Sequence, residues 1–286
     1  MSRTVYVNGE YLPENDAKIS VFDRGFLFSD GVYEVSSVVR GKLLDNERHL
    51  ERLTRSLTEL SMKAPASNDE IVAIQEEVIS RNNLDEGMLY LQVTRGAADR
   101  TFLQPKDITP TLVMFTQELC ILDRPDTDKG ISVKTIPDIR WQRRDIKTVS
   151  LLAQSMAKQA AADAGADDAW MVEDGFVTEG SSNNTYIVTD DNTIVTRNIS
   201  NSILSGITRR AVLELARLHN MKIEERPFTP EEAENALEAF STAATHPVMP
   251  VVKIKGRILS NGTPGPIATS MVKLYREMAL KSIGEV

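Results

Sequence analysis

Lys147 closes Asp138-Ile139-Arg140-Trp141-Gln142-Arg143-Arg144-Asp145-Ile146-Lys147-Thr148, a basic and aromatic stretch in a chain of net charge −8. It is flanked by Ile146 and Val149. An ammonium stripped of hydration gives up its proton more readily, and the neutral amine can attack a carbonyl, so Lys147 is a candidate Schiff-base lysine. A solvated lysine near a helix start is the more ordinary reading of the same local sequence. Glu179 lies in Val177-Thr178-Glu179-Gly180-Ser181-Ser182-Asn183-Asn184, whose small and amide-bearing residues make a poor strand. An irregular segment between two strands is expected there, with Glu179 as a functional carboxylate or an exposed turn residue.

Ser205-Gly206-Ile207-Thr208-Arg209 opens a helix. Gly206 lets the backbone come close, the N–H groups of Ile207 and Thr208 point beyond the helix start, and the Thr208 hydroxyl adds a donor. That set suits a phosphate, and it equally suits a helix that is merely capped. Arg52, between Leu50 and Leu53, is either a cation for an anion or a surface arginine with a packed stem. Arg100, in the loop Arg95 to Phe102, could reach a carboxylate or lie free on the surface. Tyr33, near Gly31, is a packed aromatic or a phenol at a site. Together they supply a phosphate-binding helix start, a further cation, an anionic partner and a reactive lysine, which are the groups pyridoxal phosphate needs.

These residues must be held by an α/β (α+β) framework. Thr4 to Val7, Asn8-Gly9 and Glu10 to Leu12 read as a hairpin with a type I′ turn. Val32 to Val39 reads as a strand turning at Arg40-Gly41-Lys42. Asn46 is placed to cap a helix with Leu50, Leu53, Leu57 and Leu60 on one face. A second helix is expected from Asn68 to Arg81, then strands at Met88 to Thr94 and Thr111 to Thr116. Residues 1–117 form a first domain, 118–129 a proline-interrupted linker and 130–286 a second domain. In the second domain a strand is expected at Ile131 to Ile136, and an alanine-rich helix from Val149 to about Asp163 whose short side chains admit a neighbouring sheet closely. Strands follow at Ala169 to Val172 and Thr185 to Val188. A helix after Thr208 should bury Ala211, Val212, Leu215 and Leu218. Thr229-Pro230-Glu231-Glu232 is a capping box, Pro250 to Ile254 a strand, and Pro266 to about Lys281 the last helix.

At 286 residues, 41% hydrophobic and 26% charged, the composition is that of a globular protein able to bury a sizeable core. The N-terminus has no apolar signal core and no run nears the roughly 18 apolar residues of a membrane span, so a cytoplasmic protein is expected. One cysteine excludes an internal disulfide, and three scattered histidines argue against a metal site. The acidic balance argues against nucleic acid as a partner and favours small-molecule chemistry.

The order of these motifs, with Asp23-Arg24-Gly25 and Gly31-Val32-Tyr33-Glu34 before them, resembles the fold type IV pyridoxal-phosphate enzymes, and among them the D-amino acid aminotransferases, from about Val5 to Tyr275. The resemblance implies a small N-terminal α/β domain and a larger C-terminal mixed-sheet domain with pyridoxal 5′-phosphate between them. It implies that Lys147 holds the cofactor and shuttles a proton, that Glu179 pairs with the pyridine nitrogen, and that Arg52, Ile207 N–H and Thr208 hold the phosphate beside Gly206. Arg140 would lie near the ring hydroxyl, Leu204 against the ring face, Ser181 and Ser182 around it, and Tyr33 close to the lysine and the substrate carboxylate. Two positions depart from the pattern. Phe102 stands where a histidine commonly joins Arg100 in holding the carboxylate, and Ala243 and Ala244 offer only backbone N–H groups where a hydroxyl near the phosphate is common. The implied activity is transamination of D-amino acids such as D-alanine, with 2-oxoglutarate or pyruvate as acceptor, by a homodimer. Branched-chain L-amino acid aminotransferases, (R)-selective amine transaminases and aminodeoxychorismate lyases share the fold. From another class, a non-catalytic protein binding a phosphorylated ligand is the alternative, against which the presence of both Lys147 and Glu179 argues.

Overall fold

The computed structural model describes Ser2–Glu285. The chain forms two compact units, one of residues up to Ile121 with Ile146–Ser150, the other of Leu122–Asp145 with residues from Leu151 on. The division falls inside the expected linker. The sequence reading assigns 146–150 to the second domain, whereas here they join the first unit, because their backbone pairs with a strand of its sheet.

The first unit comprises β1 (Thr4–Val7), β2 (Glu10–Pro13), α1 (Arg24–Phe28), β3 (Gly31–Val39), β4 (Lys42–Leu43), α2 (Asn46–Glu59), α3 (Asn68–Arg81), β5 (Gly87–Thr94) and β6 (Thr111–Glu118). Its six strands run β2-β1-β6-β5-β3-β4, with every neighbouring pair antiparallel. Asn8 and Gly9 take the positive φ angles of the first hairpin (47° and 105°), as the Asn-Gly pair dictates. Leu89, Leu91 and Val93 alternate inward on β5 and meet Leu50, Leu53 and Leu57 of α2 and Ile71, Val78 and Ile79 of α3 in one core. Asn46 is not the cap of α2. Asp45 holds that position with φ 52° and no capping bond from its side chain, and the Asn46 side chain instead accepts from Ser36 Oγ (3.4 Å) and donates to Gln75 Oε1 (2.7 Å).

The second unit comprises β7 (Ile131–Pro137), α4 (Leu152–Asp163), β8 (Asp168–Glu173), β9 (Phe176–Gly180), β10 (Asn184–Val188), β11 (Ile194–Thr196), α5 (Ile207–Leu218), β12 (Ile223–Glu225), α6 (Pro230–Glu234), β13 (Glu238–Ala243), β14 (His246–Ile254), β15 (Arg257–Ile258) and α7 (Pro266–Ser282). Its mixed sheet runs β12-β11-β10-β13-β14-β7-β8-β9, with β15 on β14. The β7–α4–β8 crossover joins parallel strands, and Ala157 and Ala161 of α4 pack on Ala169 and Met171 of β8. Helix α4 begins at Leu152 rather than Val149, because the Val149 N–H donates to Gly31 O (3.1 Å) and is held extended. Leu218, expected on the buried face of α5, is 76% exposed at its last position. Thr229 caps α6 with Pro230 at the first turn. Among the described residues no helix is long and apolar enough to cross a membrane.

Candidate active site

In the first unit the lysine is placed by backbone pairing. Residues 147–149 run antiparallel to 31–33, with Tyr33 N–H donating to Lys147 O (3.0 Å) and Val32 opposite Thr148. Gly31 permits the tight packing of β3 on β5, since a Cβ there would stand 2.9 Å from Val93 O. Lys147 is half-buried with Nζ 4.2 Å from the centre of the Tyr33 ring, while Ile146 beside it is sunk in the core. Tyr33 stacks on Tyr90 (5.6 Å) and Tyr90 on Phe115 (4.8 Å), so the ring beneath the amine is braced.

Glu34 follows Tyr33 on β3 and therefore points to the opposite face, toward α2. There it accepts Arg52 Nε on one oxygen (2.8 Å) and Nη2 on the other (2.7 Å), with His49 Nδ1 at 2.7 Å. Burial pushes the Glu34 carboxyl up, but the Arg52 charge and the hydrogen bonds from Arg52 and His49 outweigh it and bring it down to about 2. Burial, aided by the nearby Arg52 cation, lowers His49 despite Glu34. A neutral imidazole facing an ionised carboxylate must carry its proton on Nδ1.

Arg100 and Phe102 lie on an exposed loop of the same unit. The Arg100 guanidinium stands 5.3 Å from the Phe28 ring and 5.4 Å from the Phe102 ring, and the two rings are 5.5 Å apart. The loop is tied down from below: Arg24 donates to Thr101 O (2.7 Å) and, with Arg95, to Asp30 (2.7 and 2.8 Å).

In the second unit Glu179 is the centre. It belongs to a strand, β9, and not to the irregular segment that its neighbours suggest. The ladder with β8 pairs Val172 with Val177 but Trp170 with Gly180, so one extra residue is inserted on β9 just where Glu179 lies. Such a bulge re-aims side chains. Glu179 is 5% exposed and accepts from Arg140 Nη1, from Asn184 Nδ2 (3.0 Å) and from the Leu204 N–H (3.1 Å). Burial pushes its carboxyl above the ordinary range, and Arg140 and the Leu204 N–H pull against that. Asn184 also donates to Leu204 O (2.9 Å), and its Oδ1 fills the space that a Cβ on Gly206 would take. One asparagine thus ties Glu179, Leu204 and Gly206 together. Gly206 is the N-cap residue of α5, no side chain caps that helix, and Ile207 and Thr208 are buried in its first turn. Arg209 next along is committed to Arg197 O and Glu225 (both 2.8 Å).

Ser181 is buried and donates to Asp168 Oδ1 (2.6 Å), whose other oxygen takes Asn183 Nδ2 (2.7 Å). Ser182 in the same turn is exposed. Ala244 is half-buried in the turn between β13 and β14, where Thr245 Oγ1 lies 3.0 Å from His246 Nδ1. The structure thus brings Arg140, Glu179, Leu204, Gly206, Ile207 and Thr208 into one neighbourhood of the second unit. It sets Lys147 beside Tyr33 in the first, with Arg52 on the other face of β3 from Tyr33. Sequence reading missed Asn184, Asp168, His49 and Glu34. The lone acid in Val32-Tyr33-Glu34-Val35 was the available signal for Glu34. Among the described residues no three metal-ligating side chains converge.

The amino-transferase class IV family pattern matches residues 31–254. The D-alanine aminotransferase of Staphylococcus haemolyticus is 36% identical over 270 residues, covering 93% of this chain and 94% of that one. That of Bacillus licheniformis is 37% identical over 269 residues with the same coverage. Among solved structures, the branched-chain aminotransferase of the archaeon Thermoproteus uzoniensis with norvaline superposes with a TM-score of 0.90 at 23% identity, covering 100% of this chain and 97% of that one. The match runs through both units, and the chain belongs to the class IV aminotransferases.

Proposed function

We propose that the chain transaminates D-amino acids such as D-alanine, with 2-oxoglutarate or pyruvate as acceptor and pyridoxal 5′-phosphate as cofactor. The observation that carries the substrate class is the likeness to D-alanine aminotransferases over 93% of the chain, with Arg100 present as the donor for a carboxylate. The residues fit the cofactor. A helix start that no side chain caps, with Gly206 at the cap, suits a phosphate, and a buried carboxylate ringed by donors suits a protonated ring nitrogen. When bound, the cofactor supplies a carbonyl for the amino group and a ring that takes up the electron pair left when the substrate carbon loses its proton.

The roles proposed for the chain's own residues follow. Lys147 Nζ would hold the cofactor's carbonyl carbon and, as a free amine, would carry the proton of the substrate carbon; Tyr33, its ring centre 4.2 Å from Nζ, bounds the space beside it. Glu179 would hold the proton on the ring nitrogen, Arg140 would serve the ring hydroxyl, and Leu204 would bound the ring with Ser181 and Ser182 around it. Ile207 N–H, Thr208 and Arg52 hold the phosphate, with the Ala244 N–H as a further donor. Arg100 receives the substrate carboxylate as a two-pronged donor, and Phe102 adds only apolar surface. That apolar surface favours a second reading, an (R)-selective amine transaminase, because it tolerates a neutral substituent.

The working unit is a cytoplasmic homodimer in this proposal. The exposed Val21, Phe22 and Phe26 of the first unit (65%, 53% and 75%) support a contact between copies, and sedimentation as a monomer would remove that part. The substrate test is the absorption spectrum of cofactor-loaded protein mixed separately with D-alanine, L-leucine and (R)-1-phenylethylamine, without a keto acid. Conversion to the pyridoxamine form by D-alanine alone supports the reading. Conversion only by L-leucine or by the amine overturns it.

A further inference from the structure

Asp138 directly follows β7, and its N–H donates to Val172 O of β8 (2.8 Å), so the sheet fixes its main chain. Its side chain is fully buried (0% exposed). One oxygen accepts Arg140 Nε (3.0 Å), and the other accepts Arg140 Nη2 (2.7 Å) and the hydroxyl of Thr178 (2.7 Å). Arg144 Nη1 stands 3.6 Å away and is itself drawn off by Glu173, to which it donates at 2.6 Å. Burial opposes the charge on Asp138, and Arg140 overcomes that and holds the carboxyl below its usual range.

A guanidinium is planar, so fixing the edge that carries Nε and Nη2 also fixes where Nη1 points. In this structure Nη1 points at Glu179. Freed from Asp138, Arg140 would turn its two-pronged edge onto Glu179 and add a second N–H to a carboxylate that Asn184 and the Leu204 N–H already engage, taking the acceptor capacity that a bound ring needs. We propose that Asp138 is a positioning residue of the cofactor site: it commits one edge of Arg140, so that Glu179 receives one N–H from Arg140 rather than two, beside those of Asn184 and Leu204, and keeps its remaining acceptor capacity for the cofactor's ring nitrogen. Thr178, one residue before Glu179, supports the same carboxylate from the bulged strand. The inference rests on the reading that Glu179 meets the ring.

The test is the affinity of cofactor-free protein for pyridoxal 5′-phosphate, read by quenching of tryptophan emission, in the unaltered protein and in Glu179→Gln, Asp138→Asn, Arg140→Met and the double variant Asp138→Asn/Arg140→Met. Asp138→Asn should weaken binding about tenfold, the scale of one hydrogen bond to a charged group. In the Arg140→Met background the same change should have no further effect, because Arg140 is what Asp138 acts through. Thr178→Val, a milder change, should weaken binding a few-fold and only when Arg140 is present, which keeps the test open if Asp138→Asn fails to fold. Equal weakening in both backgrounds, or none in either, overturns the inference. If Glu179→Gln binds as tightly as the unaltered protein, the reading on which the inference rests falls, and the inference with it.

Discussion

Glu34 grips Arg52 by two parallel hydrogen bonds, with both side chains buried, and so fixes the direction of a cation that the proposed function assigns to the phosphate. The pair needs no help from solvent. Removing one member leaves the other charged and buried, which costs more than the pair itself contributes.

Glu34→Gln should therefore lower the unfolding free energy by about 3–5 kcal/mol, measured by urea denaturation at neutral pH. Retention of full stability would show that Arg52 finds another partner at no cost.

The same carboxyl carries a pH signature. Its folded-state value of about 2 lies below the roughly 4.3 of an unfolded glutamate, so the folded form binds fewer protons across that window. Stability from Glu34 is fully present above the unfolded value and drains away as pH falls toward 2. The urea midpoint of the unaltered protein should fall between pH 5 and 3, and Glu34→Gln should show a shallower fall.

His246 is displaced in the opposite sense for its charge. Burial, with Arg124 nearby, pushes it down to about 4, below the roughly 6.5 of an unfolded histidine. The unfolded chain thus takes up a proton first, and stability should decline as pH drops from about 6.5 to 4. His246→Gln should remove that part of the slope, read from urea midpoints at half-unit steps.

Arg100→Met should raise KM for D-alanine roughly tenfold or more while leaving the spectrum of the bound cofactor unchanged, since its proposed partner is the substrate carboxylate. Phe102→His restores a donor and should lower the same KM. A fall in KM on losing Arg100 would reverse the assignment.

Gly206→Ala places a methyl group where Asn184 Oδ1 now sits, and Asn184 also holds Glu179 and Leu204. Affinity for pyridoxal 5′-phosphate should drop by about tenfold or more, with little change in KM for amino acid once the cofactor is saturating. Equal affinity would mean that the turn yields without disturbing Glu179.

The leucine face of α2 and the Asn8-Gly9 hairpin were legible in the sequence because spacing and turn chemistry are local. Glu179 in a strand was not. Gly180, Ser181, Ser182 and Asn183 depress any local strand signal, and the pairing with β8 that orders Glu179 comes from outside that segment. Val149 misled for a related reason: a helix-forming run follows it, but its N–H belongs to Gly31 more than a hundred positions earlier. Motif order could name Arg140 and Glu179, but Asp138 and Asn184 gain their significance only from what folding sets beside them.

The strand-like segment 147–149, which covers the free edge of β3 at Gly31 to Tyr33, is delivered by chain that is made long after the rest of that sheet. During synthesis the first unit must therefore wait on the ribosome with an open hydrogen-bonding edge until residue 150 has emerged. A nascent chain halted at Ile121 would carry that edge permanently. The lysine thus belongs to the segment that closes this edge of the first unit, and a fragment lacking it would leave Gly31 to Tyr33 without those backbone partners.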